Sequence, residues 1–150
     1  MKIIIVHYRF FISGGPERYL FNIIDVLEKK GHSVIPFSIK HNKNAASKYE
    51  KYFPTSIGVG DETYGHEYKK NFSTIRKVFS RMLYSFEVKR KMKALIKKEK
   101  PDLIYVLQFQ NKMSTSVIDA AHSLNIPIVQ RISDFAHICT TNIFYRYDKN

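Results

Sequence analysis

The sequence is poor in several things, and each shortage excludes a class. One cysteine, Cys139, in 150 residues excludes an internal disulfide and fits a reducing compartment. No run approaches the about 18 apolar residues that cross a bilayer. The apolar N-terminus turns polar by His7, too soon for a signal peptide, so a cytoplasmic protein is expected. G-x-G-x-x-G is absent, which excludes the dinucleotide fingerprint. The six histidines are scattered without metal-ligand spacing, so no metal site is expected. There is no internal repeat, low-complexity tract or evident linker, and residues 1–150 read as one domain. At 44% hydrophobic residues, the chain can bury a real core.

Acidic residues are the other shortage. Thirteen Asp/Glu stand against 25 Lys/Arg, a net charge of +12. The excess is local: residues 69–100 carry twelve basic residues against two acidic ones. Such a concentration points to an anionic partner and not to general solubility.

The first 31 residues organise the rest. Lys2 to Val6 (KIIIV) is a β-branched run of the kind buried on both faces of a sheet. Ser13-Gly14-Gly15-Pro16-Glu17 then starts a helix, with Ser13 or Gly15 as cap, Pro16 in the first turn and Glu17 favouring the positive end. Tyr19, Leu20, Ile23, Ile24 and Leu27 share one face, and Gly31 is a ready C′ residue. Paired glycines at a strand-to-helix turn let a ligand approach backbone N–H groups, although they also serve simple tight turns.

His32 to Ile39 reads as a second strand, irregular or near an edge because of Pro36. Residues 40–70 read as a surface excursion with a short helix near Ala45–Tyr52. Residues 73–99 read as helical and basic, with two apolar stripes. Phe72, Ile75, Phe79, Met82, Leu83 and Phe86 form one; Val88, Met92, Leu95 and Ile96 form the other. Either the helix breaks near Ser85 or it shows different faces to different partners. Leu103 to Leu107 is a third strand. Val117, Ala120, Ala121 and Leu124 mark a helix, with Asn125 at its end, and Ile126 to Ile132 is a fourth strand. The order β-α-β-insert-α-β-α-β predicts an α/β fold: an open, mostly parallel sheet with helices on both faces.

Ligands of such sheets bind beyond the carboxyl ends of the strands. Three loops leave those ends: His7–Gly15, Gln108–Asn111 and Ser133–Cys139. They offer His7, Gly14, Gly15, Gln108, Asn111, Ser133, Asp134 and His137 as candidate cleft residues. Each has a structural alternative: Asp134 as a cap, His7 and His137 as buried structural groups. On the basic segment, Lys89, Arg90, Lys91, Lys93, Lys97 and Lys98 interleave with apolar residues, as in a segment lying on anionic lipid. Nucleic acid ranks below lipid, because no helix-turn-helix, zinc or RNA-recognition signature is present.

The stretches SGGPERYLFNIIDVLEKKGHSV, KEKPDLIYVLQFQN and IPIVQRISDFAHIC, in this order, resemble the N-terminal half of retaining family 4 glycosyltransferases. That resemblance implies a Rossmann-like domain forming one half of a GT-B architecture. It implies transfer of a sugar from a nucleotide-sugar, which is a substrate and not a cofactor, to a glycan or lipid-linked acceptor. The chemistry would retain the anomeric configuration, usually without metal, and serve cell-surface polysaccharide or glycolipid synthesis on the inner membrane face. The N-terminal half would bind acceptor. A C-terminal domain, absent from this sequence, would hold most of the donor, so the chain alone is expected to be inactive. Gly14 and Gly15 match the turn facing the donor diphosphate. Asp134 matches the Asp of a His-Asp pair near the donor sugar, and Ser133 stands where many members have His. The alternative is a non-catalytic Rossmann-like module that binds a nucleotide or polyanion.

Overall fold

A computed structural model describes residues 1–57, 72–109 and 112–132. Strand β1 (Lys2–His7) leads through a loop into helix α1 (Gly15–Lys29), followed by β2 (Ser33–Phe37) and a single 3₁₀ turn at Glu50–Tyr52. Helices α2 (Phe72–Met82) and α3 (Phe86–Glu99) precede β3 (Leu103–Gln108), α4 (Ser116–His122) and β4 (Ile128–Gln130). The four strands form one sheet in the order β2-β1-β3-β4, and every pair is parallel.

Alternation along the strands divides the core. Ile5 and Leu107 point to one face, where Leu20, Tyr19, Ile23 and Ile24 of α1 cover them. Ile4, Val6, Ile104 and Val106 point to the other. There Val88, Met92, Leu95 and Ile96 of α3 meet Val117, Ala120 and Ala121 of α4. The expected sheet with helices on both faces is therefore present, with β1 buried at its centre.

Helix α1 ends as its sequence predicts. Gly31 takes φ 81°, its N–H donates to Glu28 O, and His32 N–H donates to Leu27 O. This is a Schellman closure, which needs a residue tolerant of positive φ at that place. The start differs. Gly14 occupies the N-cap position, and neither Ser13 nor Gly15 caps the helix. Ser13 Oγ instead accepts from Arg9 Nη1 at 3.0 Å.

Pro36 lies in an edge strand opposite Ile5. The helix expected near Ala45–Tyr52 is reduced to the 3₁₀ turn: Glu50 and Tyr52 N–H donate three residues back, to Ser47 O and Tyr49 O, while Ala45 N–H donates to Phe10 O of the β1 loop. Asn44 joins the β1 loop to the chain after β2: its Oδ1 accepts from Phe10 N–H and its Nδ2 donates to Ile39 O. Strand β4 is also shorter than the expected Ile126–Ile132.

The basic segment breaks at Ser85, the first of the two alternatives. Ser85 Oγ caps α3 by accepting from Val88 N–H, and Ser85 N–H donates to Ser114 Oγ at 3.0 Å. The break separates the stripes: Val88, Met92, Leu95 and Ile96 enter the core, and Phe72, Ile75, Phe79, Leu83 and Phe86 stay exposed. After α3, Asp102 ties the chain to β1. Its Oδ2 accepts from Lys2 N–H at 2.6 Å and its own N–H donates to Lys2 O at 2.8 Å. Asn125 adopts φ 53°, two residues beyond the C-cap Ser123 of α4.

Candidate functional site

The chain passes from β1 to β2 on one side and then places β3 on the other side of β1. The carboxyl ends of β1 and β3 thus flank the point where strand order reverses, where loops diverge and leave a crevice. A bulge between Val6 and His7 brings His7 opposite Gln108, and Tyr8 N–H donates to Gln108 O at 3.2 Å. Two candidates distant in sequence therefore meet.

His7 is only 2% exposed, and burial holds its imidazole below the ordinary histidine range, so it is neutral near pH 7. Its Nδ1 lies 2.9 Å from Arg9 O and 3.1 Å from Arg9 N. Nδ1 accepts from Arg9 N–H in one tautomer and donates to Arg9 O in the other. Nε2 has no hydrogen-bond partner among the described residues, and neither has the buried Gln108 Oε1. The Gln108 side chain is near enough to favour the charged ring, but burial outweighs it. The crevice thus holds two buried polar atoms, one ring nitrogen and one amide oxygen.

The loop after His7 is fixed. Phe10 is buried against Phe21 and Phe53, with ring centroids 5.2 and 6.3 Å away. Arg9 spans the turn, and its Nη1 stands 3.4 Å from Glu17 Oε1. Glu17 is buried in the first turn of α1, as its preference for a helix start suggests. Arg9 is the residue that sequence reasoning passed over. The available signal was opposite charge eight positions apart, bracketing two glycines.

Gly14 is extended, with φ −172°, a conformation any residue adopts. A Cβ on Gly15 would meet nothing within 4 Å, and one on Gly14 would make only ordinary contacts, the nearest being Glu17 Oε2 at 3.6 Å. Neither backbone strain nor packing within the described chain demands glycine at these positions. Among the described residues, nothing fills the space above Gly15.

Asn111, Ser133, Asp134, His137 and Cys139 lie outside the described residues. Among the described residues, no three His, Cys, Asp or Glu side chains gather in a group able to hold a metal ion. Beyond the crevice, Tyr19 and Tyr105 share a hydrogen bond at 3.1 Å, and the Arg131 guanidinium lies 3.9 Å from the Tyr19 ring centre. Burial and that bond push the Tyr105 phenol up to about 12.

The six cations of the basic segment divide. Two face the protein's own groups and not an open anion surface. Lys89 Nζ lies 2.5 Å from Asp119 Oδ2, a carboxylate it shares with the Tyr84 hydroxyl. These bonds raise the Lys89 pKa and lower that of Asp119. Lys91 Nζ donates to Lys51 O and Phe53 O, and burial lowers its pKa. Arg90, Lys93 and Lys97 line a surface groove of about 540 Å³ with Phe86, Lys89 and Ala94. Lys98 is exposed beside them.

No protein-family model matches the chain, and no curated protein matches it. Solved structures do. A UDP-GlcNAc 2-epimerase from Methanocaldococcus jannaschii superposes with TM-score 0.50 at 20% identity, over 87% of this chain and 31% of that one. A glycosyltransferase from Streptomyces sp. SF2575 superposes with TM-score 0.43 at 15% identity, over 87% of this chain and 38% of that one. The chain therefore spans about a third of the length of these structures. With the sheet order, the first likeness establishes a Rossmann-like fold of the GT-B-like kind.

Proposed function

We propose that this chain is the acceptor-side, N-terminal half of a retaining family 4 glycosyltransferase. It would act with a C-terminal domain that holds most of a nucleotide-sugar donor, in cell-surface polysaccharide or glycolipid synthesis. The supporting observation is the Gly14–Gly15 turn at the start of α1, which no described side chain fills, together with the buried polar atoms His7 Nε2 and Gln108 Oε1. Backbone N–H groups at a helix start suit a diphosphate, and buried polar side chains suit sugar hydroxyls. The Arg9–Glu17 pair holds the turn in shape before any ligand arrives. Ser133 and Asp134 are assigned to the donor-sugar side of the same cleft, following the sequence resemblance. Asn111 and His137 are offered as acceptor or cleft residues from the sequence alone. No protein nucleophile is assigned.

The test is transfer by the full-length protein across a panel of nucleotide-sugars, with the anomeric outcome read by NMR. Transfer with retention, reduced at least about tenfold by Asp134→Asn, is the expected result. Net inversion would overturn the mechanism. Conversion of UDP-GlcNAc without transfer would redirect the reading to epimerisation, the activity named for the M. jannaschii structure.

A second reading, a non-catalytic binding module, draws on the same turn. Tight nucleotide binding by the 150-residue chain, with no turnover by the full-length protein, would select it.

A further inference from the structure

The α2 stripe has no cover. Phe72, Ile75 and Phe79 recur at helical spacing, and Leu83 and Phe86 continue them through the elbow into α3. All five side chains are between 60% and 84% exposed. A contiguous exposed patch of this kind is rare in a protein that meets only water. The elbow is fixed, so the stripe cannot simply fold inward. The Tyr84 ring packs edge-on against Phe86 with centroids 5.1 Å apart, and the Tyr84 hydroxyl is bonded to Asp119 of α4.

Positive charge flanks the stripe on both sides. Phe86 borders the groove of Arg90, Lys93 and Lys97, where Lys89 is taken up by Asp119, and also a second groove of about 400 Å³ that includes Arg76, Lys77, Arg81 and Glu87. Across residues 72–99 there are nine Lys/Arg and two acidic residues. Both acids are engaged: Glu87 with Arg81 at 2.8 Å, and Glu99 with Lys2 at 3.4 Å. Arg81 Nη1 is buried beside the second groove without a partner among the described residues.

We infer that the α2–α3 elbow docks on an anionic lipid bilayer, with the stripe in the acyl boundary and the grooves at the headgroup phosphates. A bilayer offers an apolar layer and a dense anionic layer a few ångströms apart, which is the arrangement this face complements. Nucleic acid offers anions but no apolar layer for five exposed side chains. No described helix is long and apolar enough to cross the membrane, so the contact is peripheral. The inference does not depend on glycosyl transfer and can fail separately from it.

The chain has no tryptophan, so Phe79→Trp installs a single indole reporter. With vesicles of equimolar phosphatidylcholine and phosphatidylglycerol, the emission should shift to the blue and be quenched by brominated acyl chains. Vesicles of phosphatidylcholine alone should give neither effect. In co-sedimentation of the otherwise unaltered chain, Arg90→Gln with Lys97→Gln should weaken binding by roughly twenty-five-fold, about fivefold per cation. Ile75→Ser with Phe79→Ser should weaken it by about tenfold or more at unchanged far-UV circular dichroism. Binding to neither vesicle overturns the inference, as does equal binding to both. A dimer abolished by Ile75→Ser with Phe79→Ser, without vesicle binding, would assign the stripe to self-association. RNA binding indifferent to those serines, again without vesicle binding, would assign the charge to nucleic acid.

Discussion

Arg9 and Glu17 close the glycine turn from within, Nη1 to Oε1 at 3.4 Å, with the carboxylate buried in the first turn of α1. The carboxylate answers the positive end of the helix, and the guanidinium keeps the carboxylate from being a lone buried charge. Replacing Arg9 with Met should therefore cost about 3 kcal/mol, read from the shift in urea midpoint. A shift below about 0.5 kcal/mol would mean that the pair contributes no more than an exposed one.

The turn itself should tolerate a methyl group. Gly15→Ala meets no neighbour, so stability should change by no more than about 0.5 kcal/mol. Donor binding by the full-length protein should nevertheless weaken about tenfold, measured by calorimetry, if a diphosphate lies against that backbone. Unchanged affinity would detach the turn from the donor.

Gly31 is the opposite case. Its φ of 81° is costly for any L-residue, although space for a Cβ is open. Gly31→Ala should destabilise the chain by about 1–2 kcal/mol through the backbone alone. A thermal melt distinguishes this loss from the near-neutral change at Gly15.

Histidine 7 makes stability depend on pH. Its folded pKa lies below the unfolded value, so the unfolded chain takes up the proton first as pH falls. Stability contributed by the neutral ring is complete above the unfolded pKa, near 6.5, and is lost below it, by at most about 1.4 kcal/mol per pH unit. Urea midpoints between neutral and mildly acid pH should show this slope, and His7→Asn should flatten it.

At alkaline pH the relevant group is Tyr105. Its folded pKa, about 12, lies above the ordinary phenol, so the unfolded chain ionises first. Stability is lost as pH rises from about 10 toward 12. Tyr105→Phe should remove a phenolate that appears near pH 12 by ultraviolet absorbance and cost about 1 kcal/mol from the broken bond to Tyr19.

Local signals foretold local structure. The β-branched run Ile3–Val6, the helical face of Leu20 and Ile23, the positive-φ closure at Gly31 and the edge proline Pro36 all occur where residue chemistry predicts them. The meeting of His7 with Gln108 follows from the parallel order of strands, so the three-loop reading could anticipate it. The Arg9–Glu17 pair left only a faint signal, and the engagement of Lys89 with Asp119 and the anchoring of Lys91 on two carbonyls left none. A charged side chain's partner is chosen by tertiary distance, which periodicity does not encode. For the same reason Ala45–Tyr52 looked helical but forms one 3₁₀ turn: Asn44 and the ring of Phe53 answer to the β1 loop and the core, not to a helix.

The central position of β1 sets a waiting time during synthesis. Ile3 pairs with Leu103, a hundred residues later. At about 5–20 residues per second, the ribosome leaves one edge of β1 bare for roughly 5–20 seconds. For most of that interval Ile4 and Val6 also lack the cover of α3 and α4, so the nascent strand stays open to mispairing until the second half of the fold has been made.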